Sequence, residues 1–149
     1  MHMNRSLDWM EQAKADLEHA RKSIVMGDFE WACFAAQQAA EKAVKALHLQ
    51  QGTIVWGHSV LDGLAAFPPE NSVGPDLLDA GRRLDKFYIA PRYADAHPAG
   101  PPRRYYTEPD ARQAVADAEK VVSWCDQGIS SKPRAGEKPP EGMGPGPGQ

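Results

Sequence analysis

Between Leu7 and Met26 the apolar residues Leu7, Met10, Leu17, Ala20 and Ile24 recur at steps of three, four or seven. That spacing lines them up on one face of an amphipathic helix. Ser6 is placed to cap its start and Gly27 to end it. Asp28 opens a second stretch, Phe29 to Gln51, in which Ala32, Ala36, Ala39, Ala40, Ala43 and Leu47 form a row of mostly small side chains. Such a row lets another helix approach closely. Gly52 ends this stretch, and the two together predict an antiparallel hairpin. His58 or Ser59 caps a short helix that ends near Phe67, because Pro68 and Pro69 forbid its continuation. Gly74 and Pro75 suit the cap and first turn of a fourth helix, with Leu77, Leu84 and Tyr88 on one face until Pro91 stops it. Thr107 and Asp110 have the spacing of a capping box and start a fifth helix along Ala111, Ala114, Val115, Ala118, Val121, Val122 and Cys125. No strand-length alternation and no internal repeat interrupts the pattern. The predicted fold is all-α, an up-and-down bundle of four main helices plus one short helix.

Composition sets the limits of that bundle. A chain of 149 residues with 42% hydrophobic content supports one domain with its own core, placed at residues 1–127. From Gly128 to Gln149, eleven of 22 residues are glycine or proline, so this stretch is expected to be a disordered tail without enough apolar surface to offset its ordering entropy. Cys33 and Cys125 stand among apolar neighbours, which predicts packing rather than a disulfide or metal site and fits a reducing cytoplasm. The N-terminus becomes charged almost at once, and no stretch approaches the length of a membrane span, so the expected location is cytoplasmic. A net charge of -3 excludes a generally basic nucleic-acid coat.

Locally the balance differs. Between Arg82 and Arg112 there are seven basic residues (Arg82, Arg83, Lys86, Arg92, Arg103, Arg104 and Arg112) against four acidic ones, so this segment stands at +3 and the rest of the chain at -6. Tyr88, Tyr93, Tyr105 and Tyr106 are interleaved with these cations and could stack on bases. The competing reading is an ordinary solvated helix face edged by bundle tyrosines.

The segment AAQQAAEKAVKALHLQQG lies on the second helix of the hairpin, and there the chain resembles the HEPN family of small helical bundles from prokaryotic toxin–antitoxin pairs and defence systems. The resemblance spans residue 6 to about residue 127. It includes the opening tryptophan-containing helix with Ala15-Asp16-Leu17, the start Gly57-His58-Ser59, Arg92-Tyr93, and Tyr105-Tyr106-Thr107 before the closing alanine-rich helix. Ribonuclease members of the family carry an arginine, four to six intervening residues and a histidine, a spacing that Arg92 and His97 meet. Histidine can move the proton of an attacking 2′-hydroxyl, and arginine can hold charge on the phosphoryl oxygens, without any metal. The resemblance implies a homodimer whose groove binds RNA or a nucleotide, with Arg92 and His97 as candidate catalytic residues and Arg92, Tyr93, Arg103, Arg104 and Tyr105 as candidate binding residues. It also implies, as an alternative, a non-catalytic docking partner for a minimal nucleotidyltransferase. Two departures bear on the choice: Tyr93 follows the arginine where active members have a polar residue, and Ala99 stands where one toxin variant has a tyrosine. In the bland alternative, Arg92 is a helix C-terminal cation and His97 a loop residue before Pro98.

Other chemistry finds less in the sequence. The five histidines show no metal-ligand spacing, and nothing calls for a cofactor. His58 reads as a helix-start residue, and Glu41 with Lys45 as a pair on an exposed helical strip. There is no phosphate-cradling glycine loop.

Overall fold

In the computed structural model, which describes residues 5–131, five α-helices follow one another. They are α1 (Ser6–Met26), α2 (Phe29–Gln50), α3 (Val60–Ala65), α4 (Pro75–Asp85) and α5 (Glu108–Ser130). Single 3₁₀ turns at Pro69–Asn71, Ala90–Arg92, Ala94–Ala96 and Pro102–Tyr105 occupy the longer connections. Among the described residues there is no β-strand, and the all-α bundle of four main helices and a short one is the architecture that forms. No described helix is long and apolar enough to cross a membrane.

Helix α2 is the axis of the molecule. Ala32, Ala36, Ala39, Ala40 and Ala43 are all fully buried, and α1 and α5 both lie against α2. The small-residue row is therefore covered within the chain, and it is not the face that a second copy would meet. Gly27, at φ 79, closes α1 in the left-handed conformation and links it to α2 in two residues. The stripe that α1 buries is Ser6, Met10, Ala13, Leu17, Ala20 and Ser23. Leu7 is exposed, and Ser6 is the first helical residue rather than the cap, a position held by Arg5.

The remaining caps follow the sequence more closely. Ser59 Oγ accepts from the Asp62 amide at the start of α3. Thr107 and Asp110 form a reciprocal capping box on α5, with amide-to-side-chain distances of 2.9 and 3.3 Å. Arg83 of α4 forms a two-pronged ion pair with the buried Asp117 of α5, at 2.8 Å on each prong. Helix α5 continues past the expected boundary at Gln127. Gly128 makes room for Leu47, whose methyl carbons lie 3.1 Å from where a Cβ would stand, and Ile129 is buried. The first residues of the expected tail, 128–130, are thus helical, and residues 132–149, where the rest of it was expected, lie outside the described residues.

Candidate functional site

Proline at position 91 lacks an N–H and disfavours helical backbone at Ala90. Helix α4 nevertheless stops already at Asp85, well short of the limit at Pro91 read from the sequence, and passes through a turn into the 3₁₀ turn Ala90–Arg92. Two backbone carbonyls in this connection are taken up by side chains. Arg92 Nε and Nη2 donate to the Tyr88 carbonyl at 3.1 and 2.6 Å. His97 Nε2 lies 2.9 Å from the Ala90 carbonyl. A carbonyl only accepts, so this nitrogen carries the proton. Both residues of the expected catalytic pair thus also tie down the backbone that follows α4.

Their surroundings differ. The Arg92 guanidinium lies over three rings, with its carbon 4.2 Å from the Phe34 centroid, 5.2 Å from Tyr88 and 5.3 Å from Tyr93. The His97 ring is stacked on Tyr105 at 4.5 Å and meets the edge of Tyr106, whose hydroxyl is 3.5 Å from Nε2. Burial raises the Tyr106 hydroxyl to about 12, so the phenol stays protonated. Among the described residues no hydrogen bond, ion pair or ring contact joins Arg92 to His97 in one chain. Tyr105 is tied back by its hydroxyl to the backbone of Ala99. The Arg104 side chain folds over Gly100, which has φ +78.

The local excess of positive charge is smaller in space than in sequence. Arg82 pairs with Asp79, Arg83 with Asp117 and Arg112 with Glu108. Asp79 and Asp117 fall outside the 82–112 window, so counting within it missed these two partners. Asp85 is also occupied, accepting from Ser59 Oγ and from the Val60 and Leu61 amides at the start of α3. Among the described residues Arg92, Arg103 and Arg104 have no carboxylate within 4.0 Å.

A second polar cluster adjoins this one, and the sequence reading missed it. Glu41, read as exposed, is only 6% exposed. Its carboxylate accepts from Lys45 Nζ at 3.0 Å, from Gln37 Nε2 at 3.3 Å and from His58 Nδ1 at 3.2 Å. Gln37, fully buried, also donates to the His58 carbonyl at 3.0 Å. The helix-start role goes to Ser59, while the His58 ring stacks on Tyr88 at 4.4 Å. Tyr88 therefore carries His58 and Arg92 on one ring. The position of Glu41 between Ala40 and Ala43 of the buried row was the available signal. The partner 17 residues away was not visible.

Comparison with known proteins places this geometry among relatives. A profile of the HEPN domain matches residues 6–128. A crystal structure of TT1696 from Thermus thermophilus superposes with a TM-score of 0.83 at 52% identity, covering 85% of this chain and 99% of that one. The structure of ST0689, described as an archaeal HEPN homologue, gives a TM-score of 0.72 at 41% identity, with 85% and 99% of the two chains covered. A protein of Methanocaldococcus jannaschii named "Putative toxin MJ1304" is 28% identical over 124 residues, spanning 76% of this chain and 81% of its own length.

Proposed function

Because the chain belongs to the HEPN domain family, we propose that it works as a toxin-like homodimer that binds RNA or a nucleotide by its phosphates in a groove beside Arg92. The observation that carries this reading is the state of Arg92. Two of its five N–H groups go to the Tyr88 carbonyl, and three rings hold the guanidinium in place. A fixed planar cation with three remaining donors and no carboxylate beside it suits phosphate recognition. Tyr93 next to it is exposed and offers a ring face to a base. Arg103 and Arg104 on the neighbouring 3₁₀ turn, and Tyr105 at its end, extend the surface. The relative named as a toxin supports placing the chain in a toxin–antitoxin-like pair.

In the catalytic form of this reading, Arg92 holds charge on the phosphoryl oxygens and His97 moves the proton of the 2′-hydroxyl, without metal. That requires the two residues to meet in the groove between protomers and His97 to act through Nδ1 or release the Ala90 carbonyl. The engagement of His97 favours the second reading, a non-catalytic partner of a minimal nucleotidyltransferase whose groove holds a nucleotide or the partner's loop. Incubating labelled structured RNA with EDTA and wild type, Arg92→Ala or His97→Ala separates them. Catalysis predicts that both variants lose cleavage while His97→Ala keeps binding. The docking reading predicts no EDTA-resistant cleavage by wild type, with affinity still lost in Arg92→Ala. If the substitutions lower only the melting temperature, Arg92 and His97 are backbone ties and the phosphate site is elsewhere.

A further inference from the structure

We propose that the opening between α1, the C-terminal half of α2 and the loop at 53–58 is a nucleotide subsite, with an aromatic base against Trp9 and Trp56 and the sugar–phosphate edge at His58 and Lys45. It rests on the phosphate-binding reading above and adds a second point of contact to it.

The cavity holds about 390 Å³, within the range of small-ligand sites. Trp9, Leu49, Ile54 and Trp56 give it apolar walls, and Lys45 and His58 are its ionisable groups. Trp56 is 86% exposed and Ile54 65% exposed. The loop that holds them in water is anchored at both ends. The Thr53 amide donates to the His48 carbonyl at 2.8 Å, and Gln37 anchors the His58 carbonyl. An indole held ready on an anchored loop is a stacking platform, and bases of any sequence stack on such a face.

The polar edge is built rather than incidental. A carboxylate only accepts, so the contact with Glu41 places a proton on Nδ1 of His58. Nε2 has no protein partner among the described residues, and the side chain is about half exposed. This nitrogen can accept from a ribose hydroxyl or, when the ring is protonated, donate to a phosphate oxygen. Lys45 stands 5.8 Å from the Trp9 ring centroid and shares Glu41 with His58. A buried carboxylate that fixes the tautomer and direction of an exposed imidazole is the arrangement that orients functional histidines.

The subsite is linked to Arg92 by Tyr88, whose ring carries both His58 and Arg92. Phe34, Glu41 and Lys45 are seven and four residues apart on one face of α2, a run of about 16 Å along the helix axis. Arg92 covers Phe34 at one end, and the cavity opens at the other. A mononucleotide can occupy the cavity alone, whereas an oligonucleotide can reach both ends.

Calorimetric titration with adenosine 5′-monophosphate and with the hexamer rA6 tests this assignment. Wild type is expected to bind both. Trp56→Ala and His58→Gln should each weaken the mononucleotide about tenfold or more, while Arg92→Ala should weaken rA6 by a larger factor than it weakens the mononucleotide. Trp56 is so exposed that its loss leaves the melting temperature unchanged, which separates a binding role from a structural one. Unchanged mononucleotide affinity in both variants overturns the proposal. So does a halving of the mass of a Trp56→Ala sample in light scattering, which would assign the indole to a subunit interface. Binding of rA6 through Arg92 with no binding of the mononucleotide overturns the subsite and leaves the earlier reading standing. Failure of wild type to bind either ligand removes both.

Discussion

His48, which nothing in the sequence singles out, sits with Nε2 2.8 Å from the Gly63 carbonyl and its ring stacked on Phe67 at 3.7 Å. Burial holds its pKa below the ordinary imidazole value, partly opposed by the bond to Gly63. The unfolded chain takes up this proton near pH 6.5, and the folded chain only at lower pH. Between the two values the unfolded state binds more protons, so stability rises with pH. The contribution is complete above about pH 6.5 and is lost as pH falls below it towards the folded value. The melting temperature should therefore drop from pH 7 to pH 5.5. His48→Gln should flatten that dependence, whose limit for one proton is about 1.4 kcal/mol per pH unit. A variant with the full wild-type slope would place the titrating group elsewhere. Residue types alone could not separate this buried histidine from the half-exposed His58 or from His97, because each role depends on partners brought in from distant elements.

Helix ends were legible wherever the signal is local. Gly27, Ser59 and the Thr107–Asp110 box act as their sequence neighbourhoods predict. The end of α4 was not legible, because Pro91 sets only the furthest possible limit and the Asp85 carboxylate serves the start of α3, some 25 residues back. Close helix crossings were equally hidden. A Cβ on Gly63 of α3 would lie 2.7 Å from Cγ1 of the buried Val44 on α2. Gly63→Ala, favourable by helix propensity alone, is therefore expected to destabilise the protein by about 1–3 kcal/mol. Denaturant melts of both single variants and the Gly63→Ala, Val44→Ala double variant check this. The second substitution should recover part of the loss, and simple additivity would refute the clash.

At the scale of the assembly, the alanine row of α2 offered a close approach to another helix of this chain or of a second one, and α1 and α5 take it. The hydrophobic period could mark that face as one that packs, but could not say against what. The homodimer proposed above must therefore form through another face, and light scattering should give roughly twice the 16.3 kDa chain mass. A strict monomer at tens of micromolar would remove the groove between protomers. The phosphate reading makes a narrower claim: that the Arg92 guanidinium, which lies over Phe34, Tyr88 and Tyr93, is the group that meets a phosphate. Its sharpest test is the salt dependence of binding to a labelled single-stranded RNA, compared between wild type and Arg92→Ala. Loss of one phosphate contact should weaken binding at every salt concentration and make the slope of log K against log salt shallower by about 0.7. Equal affinity and equal slope in the two proteins would rule out that contact.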